Sequence, residues 1–209
     1  LRHGDGGLAL FNGAFEENRD AVDITLTRSG VRGKALLSAN QFGLQRLTAG
    51  STVLLTDTGA PPAGEWGRRA HAGGGGFELS VGKRRLVVSC GSGRGRGPDW
   101  HEAARATAAH STLQLENANA WPITGNGDFG PEPARLHCRR HEDEMGNMWL
   151  EMHHDGYRQR FGLTHRRRLY LDASGTDVRG EDRLDAENQS GSSKETAGRA
   201  VAVRFHLHP

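Results

Sequence analysis

Cysteine is nearly absent: the 209 residues hold two, Cys90 and Cys138. That excludes a disulfide-stapled scaffold, while one bridge or two free thiols both stay open, and with them the redox compartment. Aromatic residues make up 6% and apolar residues 35% of the chain, and mean hydropathy is -0.65. No apolar run approaches the ~18 residues that a membrane-spanning helix needs, so no membrane span is expected. No charged-then-apolar leader opens the chain. Leu1 is not a natural start, so the chain reads as a piece of something longer and the missing leader says little. A net charge of +2 implies no large field, so the total does not argue for a polyanion partner.

What is present is turn chemistry and histidine. Thirty glycines point to many turns and much exposed loop. The length suits one β domain of ordinary size, able to bury roughly 70% of its unfolded surface. Eleven histidines are many for this length, and they are the side chains most worth sorting.

Strand signals dominate from Thr52 onward. Thr52–Asp57 is a short apolar run. Phe77–Ser80 and Arg85–Cys90 flank Gly82 as a hairpin. Ser111–Glu116 alternates with period two, and 135–140, 147–153 and 159–171 follow at strand spacing. Ala200–Leu207 sets Val201, Val203, Phe205 and Leu207 on one face and Arg204, His206 and His208 on the other. Asp23–Arg28 reads as a strand, Ala35–Leu47 as a short helix or loop, 89–100 as a mobile Gly/Arg loop, and 120–133 as a loop. The pattern is all-β, most simply an antiparallel two-sheet β-sandwich.

His71, Cys90 and His110 all fall at strand ends, where a sheet fold can gather them. Two imidazoles and a thiolate suit zinc with an open fourth position; equally, each is a separate surface or core residue. His206 and His208 read as the solvated face of an edge strand. Of His153 and His154, one is packed and one exposed. Arg166-Arg167-Arg168 puts forks suited to carboxylate or sulfate on both faces of a strand, and pairing with Glu181 and Asp182 is the simpler expectation. Arg94 and Arg96 lack an interleaved stacking platform, so no nucleic-acid partner is expected. Gly73–Gly76 is no phosphate loop, since neither Lys-Ser/Thr nor a helix follows it. It lets a ligand approach the backbone or is a degenerate turn.

Four segments, 68–91, 105–117, 149–184 and 201–209, carry a resemblance to the heparinase II/III-like polysaccharide lyases, and RHGDGGLALFNG at 2–13 resembles that family's junction between its two halves. The resemblance implies an N-terminal helical toroid joined to a C-terminal β-sandwich. Residues 1–13 would then be the junction from the helical domain and 14–209 the sandwich, with a flexible loop at 185–198. It implies cleavage of acidic, uronic-acid-containing polysaccharide by β-elimination, in which a base takes the proton beside the carboxylate and positive or hydrogen-bonding groups neutralise the charge that builds there. It implies that His71 and His110 face the cleft as candidate catalytic residues, with the principal base in the helical half. Arg68 and Arg69 would then bind substrate, and His71, Cys90 and His110 would be candidate zinc ligands. A location in the cell envelope or periplasm comes with it. The sequence also departs from the pattern: Arg69 stands where such lyases commonly carry a histidine, and Gly73 where they carry an acid. Those departures favour a second expectation, a non-catalytic carbohydrate-binding or structural β-sandwich module.

Overall fold

A computed structural model describes residues 1–62, 64–93, 95–129, 135–186 and 198–209. In chain order the elements are α1 (Arg19–Arg28), β1 (Ser38–Ala39), β2 (Leu44–Ala49), β3 (Thr52–Asp57), β4 (Phe77–Val81), β5 (Arg84–Val87), α2 (Pro98–Arg105), β6 (Leu113–Leu115), β7 (Leu136–Glu142), β8 (Met148–His154), α3 (Arg158–Phe161), β9 (Leu163–Leu171), β10 (Val178–Ala186) and β11 (Val201–Val203). The strands form an antiparallel five-stranded sheet ordered β1-β2-β3-β4-β5, a four-stranded sheet ordered β10-β9-β8-β7, and a two-stranded ribbon of β11 and β6. The all-β sandwich read from the sequence is the architecture observed, with the ribbon as an addition.

The period-two alternation of β8 and β9 decides which face meets the other sheet. Met148, Leu150, Met152, Leu169 and Leu171 point inward and pack against Leu47, Leu54, Phe77 and Val87 of the facing sheet. Strand β3 is buried at every position, because its second face is also covered. There Ala9 and Phe11 of the N-terminal segment pack on Val53 and Leu55. A buried polar anchor holds that segment: His3 Nε2 lies 2.8 Å from Glu78 Oε2, and Glu78 Oε1 accepts the Leu10 and Ser89 amides. A third cluster joins Leu113, Leu115, Trp121, Tyr157 and Leu163 at one end of the sandwich.

Several expectations need correction. Asp23–Arg28 is the end of helix α1, not a strand. The Asn18 side chain caps the helix by accepting the Asp20 and Ala21 amides, and no residue of α1 is buried, so its β-branched pattern has no sheet to join. Ala35–Leu47 is not one helix or loop but β1, a single turn of 3-10 helix at Asn40–Phe42, and the start of β2. Gly43, at φ +63°, ends that turn where a Cβ would sit 2.2 Å from the Gly59 Cα. Part of the Gly/Arg loop is helix α2, started by Pro98 at its first position.

On β11 the alternation is as read, but it faces the other way. Val201 and Val203 are exposed, whereas His206 turns inward and its Nε2 donates to the Ala108 carbonyl. The expected solvated His206 is therefore a packed residue, and His208 alone is exposed. Strand β10 runs through Ala186, so the first two residues of the expected 185–198 loop are strand. The rest of that loop up to residue 197, Arg94, and positions 130–133 of the 120–133 loop lie outside the described residues.

Candidate functional site

The segment 70–76 returns from a rim turn to β4, and three neighbours fix its path. Arg105, buried, donates to the carbonyls of Gly67, Ala70 and Gly127. Thr107 Oγ1 donates to the Ala72 carbonyl and accepts the Ala120 amide. Asn12, in the left-handed region at φ +49°, accepts the His71 amide on Oδ1 and donates from Nδ2 to Asp57. Asp57 is buried, and burial pushes its carboxyl up to about 6 against the pull of the Gly59 and Asn12 hydrogen bonds.

His71 and His110, expected as the cleft histidines, do come together. His71 Nδ1 is 3.3 Å from His110 Nε2, with the rings edge-on at 62°. Both are buried. Burial takes His71 down to about 4, with Arg105 and His101 adding to the effect. His110 falls to about 3 through burial and the neighbouring His71 and His206. Both rings are thus neutral at neutral pH, and each holds one proton to share. His71 Nε2 is buried without a partner and lies beneath Gly13.

Cys90 does not join the pair. Its sulfur lies 3.6 Å from His206 Nδ1, and burial raises its thiol. Among the described residues no three His, Cys, Asp or Glu side chains are gathered as a metal site. Both nitrogens that face each other across the pair are used in one hydrogen bond. The set His71, Cys90 and His110 therefore does not fit zinc as it stands.

Arg68 and Arg69 are exposed on the short 3-10 turn at Gly64–Arg69 just before His71, and Arg68 is held by Asp128 at 3.0 Å. Trp66, on the same turn, is exposed as well, a feature the sequence reading passed over. The glycine run has an internal cause. A Cβ on Gly73 would lie 2.6 Å from His110 Cγ, and one on Gly74 would lie 2.1 Å from the Trp121 ring. Two of the protein's own rings, not a ligand, approach that backbone.

The arginine run divides as alternation requires. Arg167 points inward to Asp182, while Arg166 and Arg168 point outward to Asp185 and Glu151. His154 is the packed member of its pair and bonds His165, which bonds Asp182 in turn.

Residues 31–209 match the family described as Heparinase II/III-like, C-terminal. The chain is 35% identical over 216 aligned residues to FtsZ-localized protein C of Caulobacter vibrioides (strain NA1000 / CB15N), covering 99% of this chain and 37% of that protein. Among solved structures it is similar to the heparinase III BT4657 gene product, with TM-score 0.62, 18% identity, and coverage of 89% of this chain and 30% of that one. It is also similar to the heparan sulfate lyase HepC from Pedobacter heparinus, with TM-score 0.61, 20% identity, and coverage of 83% and 29%. At those identities the two structures speak for the fold, and the chain spans about a third of the length of each relative. By its family match and its sandwich, the chain belongs to the heparinase II/III-like C-terminal family.

Proposed function

We propose that the chain is the β-sandwich half of a heparinase II/III-like protein that engages a uronic-acid-containing polysaccharide without itself supplying acid–base chemistry. One observation carries this reading: the candidate catalytic histidines are sealed against each other in the sandwich, neutral and buried. A ring held down to about 4 is a poor general base near neutral pH. Gly73, where lyases of this kind carry an acid, is needed as glycine because the His110 ring fills its Cβ position. The name of the Caulobacter relative points to an association with FtsZ.

A second reading, an active polysaccharide lyase with its principal base in a helical half, draws support from the unpartnered Nε2 of His71. The experiment is to express the full-length gene product and follow the ultraviolet absorbance of unsaturated product on a panel of uronate polysaccharides. The first reading expects either no product or product that survives in His71→Ala. Product that is lost in a folded His71→Ala variant overturns it and gives His71 a part in the chemistry. A fluorescent fusion of the same gene product separates a cell-envelope location, expected from the lyases, from one that follows FtsZ.

A further inference from the structure

The outward face of the four-stranded sheet is built of side chains in register. Across β7, β8, β9 and β10, His137 stands opposite His153, His153 opposite Arg166, and Arg166 opposite Arg183. This rung holds four basic side chains and no acid. The His137 and His153 rings stack at 4.8 Å and 19°. Burial, with Arg166 and His137 beside it, holds the His153 ring below its ordinary range. Arg166 and Arg183 are like charges set directly opposite each other, a placement that does not favour sheet pairing.

The next rung alternates in sign, Arg139, Glu151, Arg168 and Glu181. The third is His141, Trp149, Tyr170 and Arg179. In it the Trp149 and Tyr170 rings lie 5.3 Å apart, and the Arg179 guanidinium lies 5.7 Å from the Tyr170 ring. A groove of about 400 Å³ runs over the first two rungs. A second hollow over Trp149 and Tyr170 shares Arg168 and Glu181 with it.

We propose that this face is a binding site for an acidic polysaccharide chain. The Arg166 and Arg183 forks take its carboxylate or sulfate groups, and Trp149 and Tyr170 take the flat faces of its sugar rings. The forks are within reach, because the side chains of Arg166, Arg168 and Arg183 are 52%, 53% and 66% exposed. Their present partners are exposed acids, and such surface pairs are weak enough to yield to a ligand anion. Arg139 has no ion-pair partner among the described residues and adds a free fork beside the basic rung.

Two other polymers fit less well. An extended acidic peptide draws most of its affinity from backbone hydrogen bonds to an open sheet edge, and this groove crosses the middle of the sheet, where the backbone is already paired. Single-stranded nucleic acid is held by aromatics that stack successive bases along a basic groove, whereas this face offers one Trp149–Tyr170 pair, two rungs away from the basic rung. A polysaccharide brings hydroxyl groups that can donate to Glu151 and Glu181.

The proposal rests on the polysaccharide reading above only for the choice of polymer, and it concerns a face other than the His71 edge. The test is binding by the 209-residue chain, followed by affinity electrophoresis and calorimetry. The probes are polygalacturonate, heparin, neutral dextran, poly-glutamate and a single-stranded oligonucleotide. Polygalacturonate or heparin is expected to bind, the two differing by whether carboxylate or sulfate is preferred, and the other three are not. Arg166→Ser with Arg183→Ser should weaken that binding tenfold or more, Trp149→Ala should weaken it with the charge kept, and Arg28→Ser, on the exposed helix α1, should leave it in place. If the double variant fails to fold, Arg139→Glu, at an exposed position, carries the same expectation. Equal binding of poly-glutamate or the oligonucleotide, unchanged glycan binding in the variants, or no binding at all would overturn the proposal. Because binding is read on this chain without any elimination, the outcome is independent of whether the full-length protein is a lyase.

Discussion

Arg167 and Asp182, directly opposite each other on β9 and β10, are joined by two parallel hydrogen bonds, Nε to Oδ1 at 2.7 Å and Nη2 to Oδ2 at 2.8 Å. The third nitrogen of the same guanidinium donates to the carbonyls of Gly75 and Ser111, at 2.9 and 2.7 Å. One side chain thus ties the four-stranded sheet to the glycine segment and to the residue after His110. Asp182 also accepts a hydrogen bond from His165 Nε2 at 2.7 Å. His165 accepts on Nδ1 from His154 Nε2, whose own Nδ1 accepts the Gly156 amide. The Gly156 bond fixes the tautomer of His154, and with it the direction of the whole chain.

Asp182→Asn should destabilise the protein by about 3–5 kcal/mol, because it leaves the buried Arg167 charge without its counter-ion. Urea denaturation reads this directly. Arg167→Lys should lose most of the same stability, since one ammonium cannot reach the carboxylate and both carbonyls. A change under about 1 kcal/mol for Asp182→Asn would mean that the pair is dispensable.

Stability should fall as pH drops below about 6.5, the ordinary histidine value. His71 and His110 are held at about 4 and about 3 in the fold, chiefly by burial, and His154 and His165 are also held low by burial. Below the unfolded pKa the unfolded chain takes up protons that these folded rings refuse, so each contribution is present above that pH and is lost as pH falls toward the folded value. Each such ring contributes a slope of about 1.4 kcal/mol per pH unit. Asp57 acts in the opposite sense. Held near 6, it binds its proton in the fold before the unfolded carboxyl does, and so offsets part of the loss between about 6 and 4. Thermal melts from pH 7.5 to 4.5 should show the decline, and His110→Asn should make it shallower.

Gly73→Ala should cost about 1–3 kcal/mol through overpacking, since the new methyl would meet the buried His110 ring. Gly74→Ala should cost at least as much against Trp121, which is fully buried. Gly125→Ala, where nothing lies within 4 Å, is the control and should be close to neutral. Melting temperatures of the three variants separate a packing requirement from a general preference for glycine.

Leu150→Ala, at the centre of the inter-sheet core, should lose about 2–5 kcal/mol. Val203→Ala, on the outward side of the ribbon, should lose far less. Equal losses would mean that the two sheets do not share one core.

Both cysteines are free in the structure, Cys90 exposed and Cys138 partly buried, with burial pushing the Cys138 thiol up to about 11. Iodoacetamide on the native protein should label Cys90 slowly and leave Cys138 unmodified until denaturant is added. Mass spectrometry counts the adducts, and two rapid labels on folded protein would contradict the placement of Cys138.

Much of the sheet architecture was legible in the sequence because a half-buried strand writes its orientation as period-two alternation. The runs that became β8 and β9 carry it clearly, as does the hairpin at Gly82, whose φ of +55° only a turn residue accepts readily. The division of Arg166, Arg167 and Arg168 between two faces followed from the same period. The pairing of the run with Asp182 was expected; that Arg167 makes it, while Glu181 turns to Arg183, depended on strand register, which alternation alone does not set. Helix α1 was misread because capping by Asn18 is a local contact that outweighed the β-branched pattern of a segment with no partner strand. On β11 the alternation was visible but its direction was not, since which face meets the core depends on what lies across from it. Of the candidate site, the places of His71 and His110 at strand ends left open both a meeting and two separate residues, and the structure brings them together. Their burial and lowered affinity for protons, and the absence of Cys90 from their side, were decided by tertiary packing. Sequence fixes which side chains can share a face of an element; the distances between elements, which set charge state and reactivity, come only from how the sheets and the N-terminal segment close over one another.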